Sequence, residues 1–167
     1  NFRYKINRKS NNESQCTKIF ESRAASMSDI PSHREPPPGF KESLTRGPFS
    51  THNGPFYHKV DGDRFWHGLF ITERHCNSRG RLHGGMITTF ADGLMATAVR
   101  RANRIPSVTV SLNCNFSAAA DIGDWLEGTA RQSGTSDGFA FVEAEAWVGD
   151  RIVFNASGVF RLLEARK

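Results

Sequence analysis

No stretch of this 167-residue chain approaches the roughly 18 uninterrupted apolar residues of a membrane-crossing helix. A charged start followed by an apolar core and a small-residue cleavage site is also missing, which argues against a secretory signal. Cysteine is scarce: Cys16, Cys76 and Cys114 are an odd number without a CxxC pair. They point to reduced thiols and a cytoplasmic setting, not to a disulfide framework or a zinc finger. Neither a phosphate-binding loop nor a dinucleotide fingerprint is present. The spacing of His75, Cys76 and His83 matches no common structural metal site, so no metal is expected.

Acidic residues are in modest deficit, 17 against 22 Lys and Arg, and the net charge of +5 raises the question of nucleic acid. Six of the cations and only two of the anions fall in residues 1–26. The rest of the chain is nearly neutral, so no nucleic-acid partner is expected, and no membrane surface either. Residues 1–26 are rich in Asn, Ser and Lys without an apolar period and read as a disordered leader or non-native extension. Residues 27–53, with Pro36-Pro37-Pro38-Gly39, read as an extended segment.

Residues 54–164 have the pattern of a folded domain. Phe56 to Val60 and Arg64 to about His75 flank an Asp61-Gly62-Asp63 turn, a hairpin signal. A helix is expected from Gly84 to about Arg101, because Met86, Ile87, Phe90, Ala91, Leu94, Met95, Ala98 and Val99 recur on one stripe. Four strands follow, at Ser107–Ser117, Asp124–Ser133, Phe139–Val148 and Arg151–Leu163, with turn residues between them that favour antiparallel pairing of neighbours. In the first of these, Val108, Val110, Leu112, Cys114 and Phe116 alternate with polar residues, which puts Thr109 on the polar face. The expected class is α+β, one long helix against an antiparallel sheet of five to six strands.

The unusual residues lie around the start of the helix. Gly84 and Gly85 open it at a cost in propensity, and they let another group approach the unpaired first-turn N–H donors. Asp92 points about 130° from the centre of the apolar stripe, on a face with no Lys or Glu from Met86 to Val99. A solvated face would carry more charge, so this one is expected to meet something. Eight residues separate Gly84 from Asp92, about 12 Å along a helix. One substrate atom cannot touch both in one chain, so a joint role requires a homodimer or a dimer of dimers.

With His75, Asn77, Gly80, His83, Gly84, Gly85 and Asp92 in the order H-x-N-x-x-G-x-x-H-G-G, then the acid, residues 38–164 resemble the hotdog-fold acyl-CoA thioesterases, in the phenylacetate-type branch of the 4-hydroxybenzoyl-CoA thioesterase superfamily. The resemblance implies a hotdog fold, hydrolysis of an acyl-CoA or related thioester, and no cofactor beyond the coenzyme A of the substrate. It implies that Asp92 activates water or attacks the thioester directly, that Gly84 N–H and the Asn77 amide polarise the carbonyl, that Thr109 positions the water, and that His83 orients Asn77 or its loop. Gly85 and Thr88 would line the substrate site. The chain departs from the pattern after Ser133, where a basic residue commonly meets the nucleotide end of CoA and Asp137 stands in its turn instead. Arg131, Arg100, Arg101 and Arg104 are substitutes, of which Arg100 and Arg131 are taken as substrate-binding. Two other readings are a non-catalytic acyl-CoA sensor and a 3-hydroxyacyl thioester dehydratase with His83 as base.

Overall fold

The computed structural model describes residues 34–44 and 47–163; the expected leader, residues 1–26, lies outside them. Among the described residues the strands are β1 (Lys41–Glu42), β2 (Phe56–Asp61), β3 (Arg64–Phe70), β4 (Ser107–Phe116), β5 (Trp125–Ser136), β6 (Phe139–Val148) and β7 (Arg151–Leu162). The helices are α1 (Gly47–Asn53) and α2 (Gly84–Asn103). All seven strands join one antiparallel sheet in the order β1-β2-β3-β5-β6-β7-β4. This is one strand more than the sequence suggested, because the two-residue β1 adds to β2.

Helix α2 lies across the sheet, and its buried residues are Met86, Ile87, Phe90, Ala91, Leu94, Met95, Ala98 and Val99, the same eight as the apolar stripe. Phe90, Leu94 and Met95 are almost wholly shielded from water. Each such side chain stabilises the fold by roughly 1.5–3 kcal/mol. The sheet meets them with small residues: Ala144, Ala146 and Ala156 are buried, and a Cβ on Gly128 would lie 2.6 Å from Glu145 O and 2.9 Å from a Leu94 methyl. A bare backbone at Gly128 is therefore what lets α2 sit close to β5.

Three expectations change. The second hairpin strand stops at Phe70, and a short 3₁₀ turn over Glu73–His75 follows. The segment expected to be extended up to residue 53 contains α1. Finally, β4 pairs with β7 and not with the next strand, β5. After Phe116 the chain crosses in front of the loop that leads into α2, where Leu82 N–H donates to Ala120 O at 2.9 Å and Arg81 pairs with Asp121 at 2.8 Å. The crossover braces the start of the helix.

Candidate active site

The loop before α2 is built around two side chains. His75 is buried; its Nδ1 accepts from Thr72 N–H at 3.0 Å and its Nε2 lies 3.0 Å from Asn53 O, so the neutral ring donates there and ties the loop to the end of α1. Burial holds the imidazole below its ordinary pKa of 6.5, a shift the bond to Asn53 O opposes and the nearby Arg74 charge reinforces. An unfolded chain therefore binds this proton more readily than the native one. Stability from a neutral His75 is complete above about pH 6.5 and is lost as pH falls toward the lower native value. Thermal melts should show a melting temperature that drops between pH 7.5 and 5.5, and His75→Gln should lower it at pH 7.5 while flattening that drop; an unaltered drop would assign it to another group.

Asn77 is the second. Its Oδ1 accepts from Arg79 N–H at 2.9 Å and from Arg81 N–H at 3.3 Å, while the backbone closes through Gly80 in a left-handed conformation, φ 70°. With the oxygen committed to the loop, the Nδ2 group is the end that is free to donate, and it has no partner among the described residues. At the helix start, the N-cap His83 accepts from Gly85 N–H through Nδ1 at 2.9 Å. This is a local bond at the helix start, and no bond joins His83 to Asn77 among the described residues. It also places the proton of a neutral ring on Nε2, the wrong form for a base at that atom. Gly85 N–H is spent on the cap, so it is not a free donor, and Thr88 turns its hydroxyl to Gly84 O at 2.9 Å. What remains is Gly84 N–H, without a partner among the described residues.

Phe116, at the end of β4, stands beside Gly84: a Cβ there would lie 3.2 Å from its ring. Sequence reasoning treated Phe116 as an ordinary strand residue, and nothing local marked it as a neighbour of the helix start.

Two turns further on, Asp92 is half-buried, and Thr109 Oγ1 donates to its Oδ1 at 2.7 Å. Thr109 reaches it by a different route from the one expected. The register of β4 against β7 slips between Thr109 and Ser111. Thr109 pairs with the buried Phe160 and, past the bulge, Leu112 pairs with Gly158, Cys114 with Ala156 and Phe116 with Phe154. The extra residue, Val110, thus puts Thr109 on the helix-facing side with Leu112 and Cys114, where strict alternation would have turned it away. No cation pairs with Asp92 among the described residues. Its second oxygen has no partner among the described residues.

Neither of the two described cysteines, Cys76 and Cys114, competes for the chemistry. Burial pushes the Cys76 and Cys114 thiols up from their ordinary range, helped at Cys76 by Asp121 and Glu73, so both stay protonated and weakly nucleophilic at neutral pH. No group of three or more His, Cys, Asp or Glu converges on a common point among the described residues.

One long helix wrapped by an antiparallel sheet defines a hotdog-fold protein. The model of the thioesterase superfamily matches residues 79–154. A relative from Pseudomonas aeruginosa, "Putative esterase PA0474", is 40% identical over 129 residues, spanning 75% of this chain and 96% of its own length. The chain belongs to the thioesterase superfamily. Acyl-coenzyme A thioesterase 13 of Mus musculus is 33% identical over 76 residues, 44% of this chain and 54% of that protein. Among solved structures, zebrafish thioesterase superfamily member 2 superposes with a TM-score of 0.65 at 22% identity, covering 71% of this chain and 88% of that one, a likeness of fold. Thioester hydrolysis is the chemistry of this superfamily, and the chain is a member on that footing.

Proposed function

We propose that this protein hydrolyses acyl-CoA thioesters at paired sites across a two-fold homodimer. The observation that carries the reading is the bond from Thr109 to Asp92, which fixes one carboxylate oxygen and leaves the other open on an otherwise uncharged helix face. In the reaction, Asp92 takes a proton from a water that attacks the thioester carbonyl carbon. The oxygen of the resulting tetrahedral intermediate gathers negative charge and is met by Gly84 N–H, at the positive end of the α2 dipole, and by Asn77 Nδ2. Collapse of the intermediate expels the thiolate. A thiol of pKa about 8.5 is a good leaving group, so a strong second acid is not required.

Asp92 and Gly84 of one chain are two helical turns apart, so the acid of one protomer serves the donors of its partner. Strand β4 supports this arrangement. It is a ten-residue strand at the edge of the sheet, with one side unpaired among the described residues, and it exposes Val108, Val110 and Phe116 at 49%, 58% and 57%. An open edge of that length invites another strand. Beside it lies the flank of α2 formed by Thr88, Thr89, Asp92, Gly93 and Ala96, only half-buried by the sheet.

A panel of acyl-CoA substrates scored by release of free thiol tests the activity. Turnover of short-chain or aromatic acyl-CoA is expected. Tight binding with no thiol release across the whole panel would make the protein an acyl-CoA sensor instead.

A further inference from the structure

Past its bulge, the helix-facing row of β4 runs Leu112, Cys114, Phe116. Leu112 and Cys114 are half-buried, whereas Phe116 is 57% exposed. Yet it shares their face and pairs with Phe154, which is buried against Phe90 of α2. The difference lies in the helical neighbour. Phe116 stands beside Gly84, the first residue of α2, with ring atoms Cε2 and Cζ at 3.2 and 3.3 Å from where a Cβ on Gly84 would be. Glycine has no side chain to cover the ring, so one edge is in contact and the rest is open. The backbone is pinned on both sides of it: Asn115 Nδ2 donates to Asn155 Oδ1 at 3.0 Å, and Ser117 N–H donates to Val153 O at 2.8 Å. An aromatic ring held in this way is a preformed apolar surface.

A carbonyl oxygen that accepts from Gly84 N–H at about 2.9 Å puts its carbon no more than roughly 4 Å from that nitrogen. The two groups bonded to this carbon, the acyl α-carbon and the thioester sulfur, then share the few ångströms around Gly84 with the Phe116 ring. The sulfur leads into an arm of polar amides, which suits open solvent, while the α-carbon is apolar and suits the ring. We propose that Phe116 determines specificity: its ring walls the α-carbon of the acyl group, admitting an unbranched one and excluding a branched one. The proposal rests on the thioesterase reading above, in which Gly84 N–H meets the carbonyl. A methyl added on the α-carbon presses on a ring whose backbone cannot retreat, and a packed wall discriminates on one carbon by about ten-fold or more.

The test compares kcat/KM for two isomers, 2-methylbutyryl-CoA and 3-methylbutyryl-CoA, which differ only in where the methyl sits. The native protein should favour the 3-methyl isomer about ten-fold or more, and Phe116→Leu and Phe116→Ala should each reduce that preference about ten-fold. Melting temperature and oligomeric state are followed on the same samples. If Phe116→Ala fails to fold, Phe116→Leu, which keeps an apolar side chain in place, decides alone. A native protein without the preference overturns the proposal, as does a preference that survives substitution. So does an equal loss on both isomers, the mark of a scaffold role, or loss of the oligomer, which would make Phe116 an interface residue. Ketone analogues of the two isomers, with a methylene in place of the sulfur, cannot be hydrolysed, and calorimetry should find the same preference in their binding. That preference, lost on substitution, in a protein that releases no thiol from any thioester would sustain the wall and overturn the hydrolase reading alone.

Discussion

Asp92→Asn is expected to lower thiol release by a factor between about a hundred and ten thousand, the range for loss of a general base. The substitution is chosen for what it preserves. An asparagine side chain has the same shape, and its oxygen can still accept from Thr109 Oγ1, the bond that measures 2.7 Å with the native acid. What disappears is the capacity to take a proton from water. Because Asp92 has no cationic partner among the described residues, the change strands no opposite charge, so the melting temperature and oligomeric state should stay close to the native values. Turnover within about ten-fold of the native enzyme would remove Asp92 from the mechanism. A variant that fails to turn over because it has lost its fold would show that loss in the same melts.

Much of this was legible along the chain because it is local. The eight stripe residues of α2 become its eight buried residues, since a 3.6-residue period selects one face whatever that face packs against. The β6 boundaries follow from turn residues, with Asp137, Gly138 and Gly149 all at positive φ. The features that escaped are those set by distant partners. Thr109 faces Asp92 because of one extra residue in β4, and a bulge is a property of the pairing with β7, whose partners Phe160 and Val159 are far along the chain; the alternation of Val108 to Phe116 implies the opposite face. That β4 skips β5 depends on the crossover past Ala120 and Asp121, which closes on residues 81 and 82. At the helix start, the glycines were conspicuous but their division of labour was not. Only the bond from Gly85 N–H to His83 shows which donor is spent on the cap and which is left without a partner among the described residues.

Mixing two inactive variants should restore activity, and this bears directly on how the site is assembled. If each site takes Asp92 and Thr109 from one protomer and Asn77 and Gly84 from its partner, a dimer of one Asp92→Asn chain and one Asn77→Ala chain holds one site with both defects and one with none. Random re-pairing of equal amounts makes half of the dimers mixed, and half of their sites native. Thiol release should then recover to about a quarter of the native rate per site, from pure variants that each retain far less. The Asn77→Ala parent is suitable because its loop keeps other anchors, Leu82 N–H on Ala120 O and the Arg81 to Asp121 pair, while losing the amide donor. The exchange must pass through separated protomers, so recovery should appear only on the timescale at which labelled subunits mix. If subunits exchange and activity stays at the level of the parents, each site lies within one chain. The 12 Å between Gly84 and Asp92 would then have to be bridged by some other donor, and the oxyanion role of the helix start would fall.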